Sequence, residues 1–407
     1  MSVSMPCRSA GKRGKTMRIA YIAVKGIPHG GGVEKVTEEI GSRLALKGHD
    51  ILVYASRDFG TRDGMHRGMR IKTVPSINTK SLHKLSICLM ATLDVILREK
   101  VDLVHFHAIG PSLFSVFPRL FGIPTVVQVH GLERKRDKWG ILGRLFLGFA
   151  ELSVFFLPNR ATAVSRVLQA YFKELYGRKV SYIPNGVTPE PDRSPSWLTT
   201  QGIAPRRYIL FAARLVEEKG AHFLIEAFLG METDLQLVIA GDAAHMEGYK
   251  GRLARLAQGD PRIVFTGFVT GEPLAELYSN AYLFCLPSTL EGLPIALLEA
   301  MSYGNCCLVS DIPENLEATG DAAYSFKNRD AQDLRRVLCQ LAADPGRVAS
   351  KREEARGHVR RNYSWDRATL DMESLYHSLP GIKGVPDIKV LPEIQLDHGY
   401  LPQQDIG

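Results

Sequence analysis

Short apolar runs alternate with amphipathic stretches along most of this chain. In the first half the runs at 18–24, 50–56, 102–108, 125–130, 161–165 and 180–187 read as strands, with a glycine loop and a helix over about 33–47 after the first. A second set follows at 208–213, 235–241, 263–267, 282–288, 306–311 and 322–326, with helical stretches between. This alternation predicts an α/β protein with two parallel sheets, each covered on both faces. The stretch 188–205 is rich in Pro, Ser and Thr and reads as a linker. Two doubly wound domains are expected, over 17–187 and 206–363, facing each other across a cleft. In open α/β sheets that cleft, at the C-terminal ends of the strands, is where ligands bind.

The ends of the chain differ from this pattern. Residues 1–16 are polar and basic without an apolar core, so they read as a disordered extension and not a secretory signal. Met17 directly precedes the first strand and is an alternative start. The tail 380–407 is rich in Pro, Gly and polar residues and is expected to be flexible.

At 407 residues the chain is too long for one core. Its net charge of +8 points to an anionic partner. The six cysteines are scattered without a Cys-x-x-Cys pair, which predicts a reducing cytoplasm and no zinc site. No long charge-free apolar stretch suggests a membrane span; the best candidate, 141–157, is broken by Arg144 and Glu151.

The most informative string is STLEGLPIALLEAMSY, 288–303, which sets Glu291 and Glu299 eight positions apart across a loop-to-helix junction. At 1.5 Å per residue that is roughly 12 Å, with Pro294 suited to the first helical turn. Such a layout fits a ligand with a phosphate in the middle and hydroxyl-bearing rings at both ends. Both glutamates also have a structural reading, as a helix cap and an ordinary helix residue. Three further strand ends carry candidate chemistry. Gly30, Gly31 and Gly32 form either a flexible turn or a backbone cradle for phosphate. Arg214 and Lys219 are either solvated cations or a clamp on a diphosphate. His130 ends its strand at the cleft edge. His105 and His107 share a strand face, but no acidic or thiolate partner at ligand spacing supports a metal site. In 131–158 the basic residues Arg134, Lys135, Arg136, Lys138 and Arg144 precede and flank Leu142, Leu145, Phe146, Phe149 and Leu152. That helix either lies on an anionic membrane or packs its apolar face on the sheet. No motif that reads a nucleic-acid groove is visible, so nucleic acid is not an expected partner.

Taken together, the Glu291–Glu299 motif, Arg214, Lys219, the PNGV turn at 184–187, the glycine loop and His130 make the chain resemble a retaining glycosyltransferase of family four. The resemblance runs from Arg18 to about Ser378. The strings GIPHGGGVE and HGLERKRDKWG also resemble bacterial transferases that build surface polysaccharides, rhamnosyl and galactosyl transferases among them.

The family implies a GT-B fold, with a helix over 364–379 returning to the N-terminal domain. It implies that Glu299 binds the ribose hydroxyls, and that Glu291 with the backbone of Gly292 and Leu293 holds the donor sugar. Arg214 and Lys219 would neutralise the diphosphate, with Gly31 and Gly32 near it from the other domain. His130 would contact the sugar near the reacting carbon, and the loop at Gly267 to Val269 would meet the base. A turn that is usually glycine-rich reads GDAAHM here; Gly241 and Asp242 remain, but alanine follows.

The expected reaction moves a hexose or deoxyhexose from a nucleoside-diphosphate sugar to a saccharide or polyprenyl-linked acceptor, without a metal or other cofactor. The expected setting is cell-surface polysaccharide synthesis, with the protein cytoplasmic and peripheral at the inner membrane face. The competing readings are a GT-B sugar-nucleotide epimerase and a noncatalytic sugar-nucleotide or lipid-binding subunit.

Overall fold

The computed structural model describes residues 16–28, 31–59, 61–77, 83–136, 140–242 and 247–382. The expectations for the N-terminal extension, for most of the tail, and for Gly30, Lys138 and the alanines after Asp242 lie outside these residues.

Two sheets organise the chain. The first contains β1 (Arg18–Ile22), β2 (Asp50–Ser56), β3 (Gly64–His66), β4 (Met69–Val74), β5 (Leu103–His107), β6 (Thr125–Val129), β7 (Arg160–Ala163) and β8 (Ser181–Tyr182). Their spatial order is β3-β4-β2-β1-β5-β6-β7-β8, parallel except for the β3–β4 hairpin. The second contains β9 (Tyr208–Ala212), β10 (Gln236–Ala240), β11 (Ile263–Gly267), β12 (Leu283–Leu286), β13 (Cys307–Ser310) and β14 (Tyr324–Phe326). It is wholly parallel, in the order β11-β10-β9-β12-β13-β14. The central strands β1, β5, β6 and β9 are almost fully buried because helices cover both faces, and β1 and β9 are apolar along most of their length.

The β3–β4 hairpin was not expected, because its sequence GMHRGMRIKTV mixes polar and apolar residues on an edge. The stretch read as a linker is also more structured than expected. It holds a short helix, Ser196–Thr200, whose first amides donate to Glu276: Trp197 N at 2.7 Å and Leu198 N at 3.2 Å. Leu198 is fully buried, so this part of the segment packs with the second sheet's helices.

The last helix, Trp365–His377, returns to the first sheet. Ser364 caps it by accepting from Arg367 N–H, and Arg43 Nε pairs with Asp366 at 2.7 Å. Trp365, Ala368, Met372 and Tyr376 are buried in the same cluster as Ile19, Tyr21 and Ile40. Tyr376 OH bonds to Tyr21 OH at 3.0 Å and to His105 Nδ1. Removing that hydroxyl strands two buried partners. Tyr376→Phe is therefore expected to destabilise the protein by about 1–3 kcal/mol, read as a lower denaturant midpoint at unchanged slope.

Candidate active site

Each sheet has one point where the chain reverses direction across it. β1 lies between β2 and β5, and β9 lies between β10 and β12. At such a point the loops at the strand C-termini part and leave a crevice. The loops after β1, β6, β9 and β12 carry most of the residues singled out in the sequence.

The two lobes touch through backbone. A Cβ added to Gly292 would stand 1.9 Å from the His130 carbonyl oxygen and 3.2 Å from Gly131 Cα. Only glycine at 292 permits this approach. Beside it, Asn185 Nδ2 donates to the Leu293 carbonyl at 3.0 Å. Gly31 caps the Gly32–Leu46 helix, and its carbonyl accepts from Lys35 N–H at 2.9 Å. Gly32 faces Ile295 of the opposite lobe: a Cβ placed there would lie 4.0 Å from Ile295 Cδ1. On the far side of the first lobe, Glu317 accepts from Arg166 N–H at 2.7 Å and Val167 N–H at 2.9 Å. Those amides open the Arg166–Tyr176 helix, while Glu317 belongs to Pro313–Thr319 in the other lobe.

Lys219 and Glu291 form an ion pair, Nζ to Oε1 2.6 Å, and both side chains are largely covered. Local backbone geometry brings them together. Residues Glu217–Lys219 make one 3-10 turn that ends at Gly220 with φ +71°. A Cβ on Gly220 would lie 2.0 Å from the Pro287 carbonyl oxygen, so the loops after β9 and β12 meet main chain to main chain. Thr289 N–H donates to Glu218 O at 2.8 Å and closes the junction. Arg214 extends from the β9 end, with Arg136, Glu218, Glu291 and Glu34 as its charged neighbours.

The helical spacing inferred for the two glutamates does not hold. The helix covers only Ile295–Ser302, and Pro294 is its extended N-cap residue, not a first-turn residue. Glu291 lies in the loop before it, so only Glu299 is on the helix and the 12 Å estimate does not apply. Glu299 meets Lys35 Nζ of the other lobe at 3.9 Å and Tyr278 OH at 3.5 Å. Burial pushes its carboxyl pKa up, and Lys35 opposes that shift.

His130 belongs to a hydrogen-bonded chain. Its Nε2 lies 2.9 Å from His107 Nδ1, and His107 Nε2 lies 3.0 Å from Thr37 Oγ1. Thr37 donates its hydroxyl proton to the Val33 carbonyl at 2.9 Å. Thr37 must then accept from His107 Nε2–H, and His107 Nδ1 must accept from His130 Nε2–H. That assignment leaves His130 Nδ1 as a bare acceptor. Desolvation first, then Lys84, lowers the His130 pKa to about 3, so the ring is neutral. His105 is lowered to about 3 by burial, then by His130.

Gly241 and Val269 lie at the edge of this constellation. The Gly241 N–H donates to Gly267 O at 2.8 Å, so that amide is committed to the sheet edge. Val269 is half-buried against the core. Sequence reasoning missed Lys35, Thr37 and Tyr278, named Asn185 only as part of the PNGV turn, and weighed His107 only as a metal ligand. No motif marks Lys35, Thr37 or Tyr278; their places in the crevice come from contacts across the fold.

The Ile141–Phe156 helix shows both faces of the choice left open. Leu147, Ala150 and Val154 are buried against the sheet. Ile141, Leu145, Phe149 and Phe156 are 79, 66, 65 and 59 % exposed. No helix among the described residues is long and apolar enough to cross a membrane.

Comparisons with known proteins agree with this architecture. Residues 30–191 match the family described as Glycosyltransferase Family 4, and residues 200–358 match Glycosyl transferases group 1. An uncharacterised glycosyltransferase of Methanocaldococcus jannaschii is 32% identical over 310 residues, 68% of this chain and 75% of the relative. The UDP-Gal:alpha-D-GlcNAc-diphosphoundecaprenol alpha-1,3-galactosyltransferase of Escherichia coli is 26% identical over 316 residues, 74% of this chain and 80% of the relative. The crystal structure of Anabaena HepE in complex with UDP and glucose superposes with a TM-score of 0.75 at 19% identity, covering 89% of this chain and 100% of that one. The chain therefore belongs to glycosyltransferase family 4, has the GT-B fold, and is a glycosyltransferase.

Proposed function

We propose that this enzyme transfers a hexose or deoxyhexose, with retention, from a nucleoside-diphosphate sugar to a saccharide or polyprenyl-linked acceptor in the assembly of a cell-surface glycan. The observation that carries this reading is the buried Lys219–Glu291 pair in the inter-lobe crevice, with Arg214 beside it. The name of the E. coli relative, with a UDP-sugar donor and a lipid-diphosphate acceptor, supports the substrate class. The UDP and glucose in HepE support the donor.

The barrier to transfer is dominated by charge growing on the departing diphosphate. Arg214 and Lys219 meet that charge, aided by the amides at the start of the Gly32–Leu46 helix beside Gly31 and Gly32, so the step needs no metal. Glu291 holds Lys219 in place before the donor arrives. Once the diphosphate takes over the ammonium, Glu291 is free to accept from a sugar hydroxyl, next to the backbone of Gly292 and Leu293. Glu299 takes the ribose hydroxyls, and Val269 lies beside the base. Gly241 contributes by packing its loop and not through its amide. His130 Nδ1 accepts from a hydroxyl of the sugar, in a ring orientation held by His107 and Thr37. Closure of the lobes at Gly292 keeps water from the reacting carbon.

The exposed stripe of the Ile141–Phe156 helix, beside Arg134, Lys135 and Arg144, rests on an anionic membrane surface at the inner face of the cell membrane. A lipid-linked acceptor would be presented there.

Screening nucleotide sugars by thermal shift, then following nucleoside-diphosphate release with acceptor, tests the reading. Lys219→Ala is expected to lower kcat by about 10²–10³ while the fold stays intact. Unchanged turnover in that variant would remove the basis of the proposal.

The neutral histidines make a pH prediction. Their folded pKa values lie below the unfolded value, so the unfolded chain binds more protons as pH falls below about 6.5. Stability should be full above that pH and should decline toward pH 3, by up to about 1.4 kcal/mol per pH unit for each histidine. Denaturant midpoints between pH 7 and 4 read this directly. The kcat/KM profile should carry no limb near pH 6.5 that belongs to His130. A limb there that disappears in His130→Gln would contradict the tautomer assignment.

A further inference from the structure

Beside the Lys219–Glu291 pair an open cavity of about 630 Å³ lies between the two lobes. Glu218 and Leu290 line it, and these are the chain neighbours of Lys219 and Glu291. Five cations surround it: Arg134, Lys135, Arg136 and Arg144 from the first lobe, and Arg329 from the second. Among the described residues, Glu218 is the single carboxylate in the lining.

The charge of this cavity is unbalanced in a way the donor site is not. Arg214 has three carboxylates as neighbours, and Lys219 is paired with Glu291. In the cavity, Arg134 is held by the buried Glu151 at 3.4 Å and by Tyr171 OH at 3.0 Å, and Arg136 faces Glu218 at 3.7 Å. Among the described residues, Lys135, Arg144 and Arg329 enter no ion pair. Lys135 lies over the Tyr171 ring at 5.3 Å, which leaves Arg144 and Arg329 as exposed cations without a partner of this kind, and so large an excess of cations around one space suits a group with more than one negative charge.

The cavity also has an apolar exit. Ile141 and Leu145 belong to its lining and begin the exposed stripe that continues through Phe149 to Phe156. The helix that carries the stripe is 16 residues long, roughly 24 Å at 1.5 Å per residue. A multiply charged headgroup in the cavity would leave a long apolar chain lying along this face.

We propose that the basic cavity holds the diphosphate of a lipid-linked acceptor, with its lipid following the Ile141–Phe156 helix. This rests on the transferase reading and adds to it where the acceptor's charge sits. The acceptor sugar would then project past Leu290 toward Glu291, on the side away from the nucleotide.

Farnesyl diphosphate, farnesol and inorganic pyrophosphate serve as probes in calorimetric titrations of the full-length protein. Arg144 and Arg329 are exposed, so Arg144→Gln and Arg329→Gln, singly and together, should leave the unfolding midpoint unchanged. The wild type should bind farnesyl diphosphate at least tenfold more tightly than farnesol or pyrophosphate. The double variant should lose at least tenfold for farnesyl diphosphate and nothing for farnesol, and Lys219→Ala should bind it as the wild type does. Equal affinity for farnesol and its diphosphate would overturn the proposal. So would loss of binding in Lys219→Ala with retention in the double variant, since the probe would then occupy the donor site. If the double variant loses only its binding to phosphatidylglycerol vesicles, the cations serve a membrane surface and the proposal also falls. Whether sugar is transferred at all is read separately, from nucleoside-diphosphate release, so the two readings can fail independently.

Discussion

The crevice depends on one steric constraint: the backbone of Gly292 lies against the His130 carbonyl, where no side chain fits. That contact sets how near the ends of β6 and β12 come. It places the His130 ring, the Glu291 loop and the start of the Ile295–Ser302 helix around a shared space. A second close approach, of Gly220 to the Pro287 carbonyl, does the same within one lobe and carries Lys219 to Glu291. The charged groups of the site are long and flexible, yet their positions are set by main chain packed against main chain. An arrangement of this kind loses little side-chain freedom when a ligand arrives.

The electrostatics follow from the same geometry. Lys219 is partly removed from water and matched by Glu291, so the ammonium is preorganised without leaving a net buried charge. Glu299 is different: burial raises its carboxyl, and Lys35 at 3.9 Å and the Tyr278 hydroxyl offset that only in part. The three histidines along β5 and β6 stay neutral because desolvation lowers their pKa values and the neighbouring histidines and Lys84 lower them further, with only Glu133 opposing at His130. Neutrality is what lets His130 and His107 act as a directed hydrogen-bond chain to Thr37, since a protonated ring would have donors on both nitrogens and no direction.

Much of the architecture could be read from the residues. Strands such as 18–22 and 208–212 are apolar on both faces, a pattern that helix-covered parallel sheets impose. The candidate residues stood at strand ends, where open sheets bind ligands. What was not legible depends on contacts far apart in the chain. Lys219 and Glu291 are separated by 72 positions, and Thr37 and His107 by 70. No local pattern encodes either pair. The basic cavity is assembled from four separate segments, only one of which stood out as a charge run. The misreadings were local conflicts. A short Ser- and Thr-rich helix looked like linker because its amides are capped by Glu276 from elsewhere. The separation of the two glutamates was misjudged because a helical rise was applied across a loop-to-helix junction whose loop part, before Ile295, has no regular rise.

The Glu317 contact has a consequence for recombining these lobes. The first amides of the Arg166–Tyr176 helix are satisfied by a carboxylate that belongs to the other lobe, and only Leu168 N–H is capped locally, by Ser165. A chimera that grafts a foreign C-terminal half onto this N-terminal half inherits that helix start without its acceptor, unless the graft brings its own. Exchange of donor specificity between related enzymes would then be limited by the seam as much as by the pocket.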